Sequence, residues 1–227
     1  MPTLLLTGSN RGLGLEICRQ YVAAGWNVLA TCRDPGAATE LNQLGSERLR
    51  VIQLDVGDPE HIRNVARELD HQPVDLLLNN AGIFGESGAS LGRLESDGLI
   101  EVLRVNAVGP LLLCQALIES VSKSSLKQMV AVTSGMGSIG DGGGGYYAYR
   151  CSKAALNMAM HTLARDLAPR RITVCVINPG WVRTDMGGPG AKLSVERSVS
   201  AIKERLDLLR FEDSGKFLDY KGGEWPW

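Results

Sequence analysis

Tyr149 and Lys153 stand four residues apart in the run Tyr149-Arg150-Cys151-Ser152-Lys153. On a helix that spacing puts both side chains on one face, so a phenol and an ammonium converge. A free phenol titrates near pH ~10 and carries protons poorly at neutral pH, whereas a neighbouring cation favours the phenolate. The pair therefore has the make-up of a general acid with its tuning charge. Two other tyrosines compete. Tyr146 has Arg150 at the same spacing, but arginine does not release a proton, and Tyr146 abuts glycines 142–145. Tyr147 meets only Cys151. Tyr149 is the candidate. Upstream, Val130-Ala131-Val132-Thr133-Ser134-Gly135 ends an apolar run on a hydroxyl. Ser134 is placed to hold a substrate oxygen, and Ser138, deeper in the glycine-rich stretch, is its rival.

A second constellation lies near the start. Thr7-Gly8-Ser9-Asn10-Arg11-Gly12-Leu13-Gly14 follows one apolar run and opens a helical pattern. Glycines there let the backbone turn sharply and approach a pyrophosphate, whose charge sits at the helix N-terminus. The spacing is one residue longer than the common dinucleotide fingerprint. A Walker-type loop needs a Gly-Lys-Ser/Thr ending, which is absent, so a kinase or ATPase reading fails.

These groups must be positioned by something. Apolar runs at 3–7, 27–31, 50–54, 74–79, 128–133 and 172–178 read as strands, with a weaker seventh at 216–219. They are continuously apolar rather than alternating, as parallel strands covered on both faces are. Helical patterns at 12–24, 58–70, 98–122 and 147–167 lie between them, and another runs near 194–209. The alternation predicts a single α/β domain spanning 1–227, a doubly wound parallel sheet (Rossmann fold) with helices on both faces. A short substrate lid is expected at about 185–210.

Bulk properties narrow the function. The 227 residues carry 24 basic and 25 acidic side chains, which gives no electrostatic reason to bind nucleic acid or an anionic membrane. The apolar run Leu4-Leu5-Leu6 is too short for a signal peptide or a span, and a cytoplasmic protein is expected. Five scattered cysteines without CxxC spacing read as reduced thiols. His61, His71 and His161 share no ligand spacing, so no metal is expected and solvated helix positions are. Trp181 either borders the substrate or fills the rim of the sheet, and Trp225 and Trp227 are expected to seal a core edge or a subunit contact.

Together these motifs resemble the short-chain dehydrogenase/reductase family over nearly the whole chain. Thr7-Gly8-x-x-x-Gly12-x-Gly14, Asn79-Asn80-Ala81-Gly82, the Ser134 strand and Tyr149-x-x-x-Lys153 occur in the family's order. The resemblance implies that Asn106 completes a catalytic tetrad with Ser134, Tyr149 and Lys153, anchoring a water that links Lys153 to solvent. It implies a cofactor held by Gly8, Asn10, Arg11, Gly12, Leu13 and Gly14, with Asp55 and Val56 at the adenine ring. Asn80, Ala81 and Gly82 follow, then Pro179, Gly180, Val182 and Thr184 on the nicotinamide side, with Lys153 also on the ribose and Tyr149 beside it. By the same resemblance Tyr149 protonates a carbonyl oxygen while hydride reaches the carbon. The segment from Asn178 to Met186 and the short lid look most like the carbonyl-reductase and C-factor-like branch. Helices 98–122 and 147–167 are apolar beyond what a sheet-facing stripe needs, which suggests the homodimer or homotetramer common in the family.

Cofactor choice is read from the end of strand two. An NAD enzyme of this fold usually carries Asp or Glu about 20 residues beyond the glycine loop, on the ribose hydroxyls. Here Cys32 takes that position and Arg33 follows, where a guanidinium clamps a 2′-phosphate. Arg11 is a second cation in reach, and Asp34 is expected to start the turn Asp34-Pro35-Gly36. The expected cofactor is NADP(H) and the expected substrate a small carbonyl compound or alcohol. The competing reading is a nucleotide-sensing or signalling protein of the same fold with little turnover.

Overall fold

A computed structural model describes residues 1–85 and 91–227. Seven strands form one sheet: β1 Thr3–Thr7, β2 Asn27–Cys32, β3 Leu49–Gln53, β4 Leu76–Asn79, β5 Gln128–Val132, β6 Thr173–Asn178 and β7 Phe217–Asp219. Every pairing is parallel, in the order β3-β2-β1-β4-β5-β6-β7. The two halves of the chain wind outward from β1 and β4, which lie side by side with Leu5 opposite Leu77. That reversal leaves a crevice at the carboxyl ends of the strands, where open α/β sheets place ligands.

The doubly wound sheet is therefore present, and the packing shows why its strands are apolar throughout. Leu5, Leu77, Met129 and Val174 enter one core layer, with Leu113 and Leu156 from the helices. Leu4, Leu6, Leu76, Leu78 and Val130 enter the opposite layer, with Ile17, Val199 and Ile202. Successive residues alternate faces, but both faces are covered, so no polar position recurs. Helices α1 Gly12–Ala23 and α8 Val195–Asp207 serve the second layer; α3 Pro59–Leu69 and α7 Tyr147–Asp166 serve the first. A short α2 at Thr39–Asn42 was not legible in the pattern.

The helix expected over 98–122 differs. It runs as α4 Ser96–Leu103, a π-helical turn Arg104–Val108, and α5 Gly109–Ala116; α6 Ile118–Ser122 then follows a break at Leu117. Pro110 supplies no backbone donor, so the ladder before it must rearrange, and a widened turn is the result. By length and composition Ser96–Ala116 matches a membrane span, but it packs on the sheet through Val105, Leu113 and Cys114. The helix near 194–209 is also a core element, with Val199, Ile202 and Leu206 buried. Of the lid expected at about 185–210, residues 185–187 and Val195 border the crevice.

Candidate active site

The crevice is a cleft of about 1400 Å³ along the carboxyl ends of the strands. At one end it is walled by the glycine loop. Gly8 has φ +67, and a Cβ on Gly14 would stand 2.0 Å from the Gly8 carbonyl oxygen, so neither position admits a side chain. Ser9, which the sequence did not single out, locks this loop to β2: its amide donates to the Thr31 carbonyl at 3.0 Å and its hydroxyl accepts from Thr31 at 3.1 Å. Asn80 locks it to β4. Its side-chain amide donates to the Thr7 and Gly8 carbonyls at 2.9 and 3.1 Å, while the Thr7 hydroxyl accepts from the Asn80 and Ala81 amides at 3.0 and 2.9 Å. Asn80 thus shapes the loop with its side chain and borders the cleft. Arg11, the N-cap of α1, makes no side-chain cap, and the first turn holds no acid. The leading amides of α1 are left to an anion.

Next to this loop, Cys32 is buried and Arg33 is exposed. The Asp34 carboxylate accepts from the Gly36 and Ala37 amides at 3.0 and 3.2 Å, turned into its own loop as expected. Asp55 accepts from the Gly57 amide at 2.8 Å and donates its own amide to His61 Nδ1 at 3.1 Å. His61 is therefore a loop support rather than a solvated position. His161 is one as well: its ring bonds the Gly215 carbonyl at 3.1 Å and packs on Trp227. Among the described residues no His/Cys/Asp/Glu group could hold a metal ion.

The other end of the cleft is built on α7 and β5. Tyr149 is 8% exposed and Lys153 4%, whereas Tyr146 is 52% exposed. Lys153 Nζ donates to the Val132 carbonyl at 2.9 Å and lies 5.7 Å from the centre of the Tyr149 ring. Burial pushes the Tyr149 phenol up to about 12, against a hydrogen bond from Ser134 that lowers it. Burial also pulls the Lys153 ammonium down to about 8. Burial dominates the phenol here, and Lys153 Nζ is bonded to the Val132 carbonyl. Ser134 borders the cleft and accepts from the Met136 amide at 3.1 Å. Ser138 is turned away, donating to the Trp227 main-chain oxygen at 3.3 Å and accepting from the Asp141 amide at 2.9 Å.

Asn106 sits on the π-helical turn and does not border the cleft. Its amide nitrogen donates to the Ile83 carbonyl at 2.8 Å and to Ser152 Oγ at 2.9 Å, and its oxygen accepts from the Ile83 amide at 2.8 Å. Ser152 donates in turn to the Tyr149 carbonyl at 2.8 Å. This network clamps the segment that follows β4 to α7. Asn157, Asn178 and Thr133 do the same for the Ser134 loop. Thr133 donates to Asn157 at 2.6 Å, Asn157 to the Gly137 carbonyl at 3.2 Å, and Asn178 accepts from the Gly135 amide at 3.2 Å. Among these, Asn157 and Ser152 escaped the sequence reading, although each lies on the α7 face that carries Tyr149. An aromatic wall also escaped it. Phe84 packs 4.7 Å from Tyr149, and Trp225 borders the cleft against Gly135. Trp227 seals an edge as expected, against His161 and Phe217.

All the expected cofactor-side residues, from Gly8 through Arg33, Asp55, Val56 and Gly82 to Pro179, Gly180, Val182 and Thr184, line this one cleft. The uncapped helix terminus and the exposed arginines at one end of the cleft, with the buried Tyr149–Lys153 pair at the other, fit a dinucleotide. The fold and the site define a dinucleotide-binding oxidoreductase. The profile of the short chain dehydrogenase family matches residues 2–192, and the chain belongs to that family. It is similar to carbonyl reductase Sniffer of D. melanogaster, with 32% identity, a TM-score of 0.93 and 100% of both chains covered. It is similar also to the NADPH-bound carbonyl reductase from chicken fatty liver, at 33% identity and a TM-score of 0.93 over 100% of this chain and 99% of that one. C-signal of Myxococcus xanthus is 43% identical over 156 residues, covering 68% of this chain and 93% of that protein.

Proposed function

We propose that this chain is an NADP(H)-dependent carbonyl reductase acting on aldehydes or ketones, and able to oxidise the matching alcohol. The observation that carries the reading is the convergence of Ser134 and Tyr149 on the cleft floor, with Lys153 beneath. When bound, the reduced nicotinamide supplies hydride. Tyr149 donates its proton to the carbonyl oxygen, and its raised pKa keeps that proton in place until an oxyanion develops. Ser134 hydrogen-bonds the developing oxyanion. Lys153, with its lowered pKa, is suited to pass a proton toward Tyr149. Asn106 is a positioning residue acting through Ser152 and Ile83. Proton transfer by a placed group is worth roughly 10²–10⁴-fold, and an oxyanion donor about 10²–10³-fold.

Arg33 and Arg11 support NADP(H) over NAD(H), because the one carboxylate that follows strand two, Asp34, is committed to its turn. NADPH consumption over a panel of aldehydes, ketones and quinones tests the whole reading; no turnover on any of them would overturn it. The likeness to C-signal favours a second reading, a signalling role with little turnover. Nucleotide binding without consumption on that panel would support it.

Homo-oligomerisation belongs to the same proposal. Leu113, Leu156 and Met160 turn out to be core residues, but Ile100, Val108, Leu111 and Met158 are exposed along the α4–α5 and α7 helices. Such a face suits a second copy. Light scattering should give at least twice the 24.4 kDa chain mass at micromolar concentration, and Met158→Asp should shift the protein toward monomer.

A further inference from the structure

Arg11 has a partner in this structure. Its guanidinium donates to Asp185 Oδ2 at 2.7 Å, across the mouth of the cleft. Arg11 belongs to the glycine loop and Asp185 to the strap that follows β6, 174 positions away in sequence. The strap is braced internally. The Gly187 amide donates to Thr184 Oγ1 at 3.1 Å, the Gly188 amide to the Thr184 carbonyl at 2.8 Å, and Trp181 Nε1 to the Gly187 carbonyl at 2.8 Å. Thr184 lies over Gly12, its Cγ2 at 3.4 Å from where a Cβ would be. The carboxylate of Asp185 is therefore held at the loop by the strap's own geometry, rather than swinging in from a distant tether.

We propose that Asp185 tunes cofactor discrimination by competing with the 2′-phosphate of NADP(H) for the Arg11 guanidinium. The proposal rests on the NADP(H) reading above. A guanidinium has five donors and so can face a phosphate without leaving Asp185. In that arrangement a carboxylate and a phosphate near two negative charges share one cation, and their repulsion weakens binding. If Arg11 instead swings to the phosphate, the pair with Asp185 is lost. Either way Asp185 acts against the phosphorylated cofactor and much less against the unphosphorylated one. Both side chains are well exposed, at 66% and 80%. Exposed pairs of this kind shift an equilibrium by up to about fivefold, and salt screens them.

The test is calorimetric titration of the full chain with 2′,5′-ADP and with 5′-AMP at low ionic strength, so that no turnover is needed. Wild type should bind 2′,5′-ADP more tightly. Asp185→Asn should tighten 2′,5′-ADP about three- to fivefold and 5′-AMP much less, and Asp185→Ser should behave alike. In an Arg11→Gln background the same substitution should lose its selective gain. An unchanged Asp185→Asn, equal tightening of both probes, or the same selective gain without Arg11 would each overturn the proposal while leaving NADP(H) preference intact. A wild type that binds both probes equally would overturn the NADP(H) reading, and the proposal with it.

Discussion

At the end of the cleft that holds Tyr149, the side chains of Tyr149, Lys153, Asn106 and Ser152 are all buried; bonds run from α7 through Ser152 and Asn106 to Ile83 beyond β4, and Lys153 bonds the Val132 carbonyl of β5. At the phosphate end, Arg11, Arg33 and Asp185 are exposed, and only backbone geometry is rigid there. On the proposed function both ends serve one reaction, but their side chains act in different environments. A buried polar group acts at low dielectric and is costly to leave unpaired. An exposed cation contributes little per contact and can exchange partners. Chemistry that needs a fixed proton donor sits in the first environment, and recognition of a mobile phosphate in the second.

Removing the proton donor should have the largest effect. Tyr149→Phe should lower kcat by roughly 10²–10⁴-fold while NADPH still binds; retained turnover would show that another acid serves. Lys153 offers the next test, and it separates function from stability. Its pKa is depressed by burial from 10.5 to about 8, so below pH 8 the folded protein holds a charge that prefers water. The unfolded chain binds more protons between pH 8 and 10.5, and stability contributed by this site therefore rises with pH across that window. Lys153→Met should abolish turnover yet raise stability at pH 7, by up to about 3 kcal/mol. The advantage should vanish near pH 10.5, as followed by thermal unfolding at both pH values.

Effects at the phosphate end should be smaller. Arg33→Ala should reduce the kcat/KM preference for NADPH over NADH by about tenfold, the size of one exposed charge-assisted contact; equal loss with both cofactors would refute the assignment. Tyr146→Phe should change turnover less than threefold, since Tyr146 is half exposed and makes its ring contact with Phe84 rather than with Lys153. Equal losses in Tyr146→Phe and Tyr149→Phe would erase the distinction between the two tyrosines.

The linear order of residues was enough to identify the glycine loop, the Tyr149–Lys153 pair and the parallel sheet. Each rests on local rules: backbone freedom at glycine, helical periodicity, and continuous apolar runs. Even the turn at Asp34 was legible, because an aspartate before Pro-Gly caps its own loop. What lay beyond reach depends on which distant segments meet. The choice between Ser134 and Ser138 was open in sequence; the bonds of Ser138 to Trp227 and Asp141, which turn it away from the cleft, support the proposed role of Ser134. Trp225 and Phe84 reach the substrate end only because the segments carrying them fold over β5 and β4. Spacing put Lys153 beside Tyr149, but it does not specify the depth of burial that raises the phenol. Asp185 meets Arg11 only after five crossovers have brought the ends of β1 and β6 to the same edge, and no pattern along the chain encodes that distance.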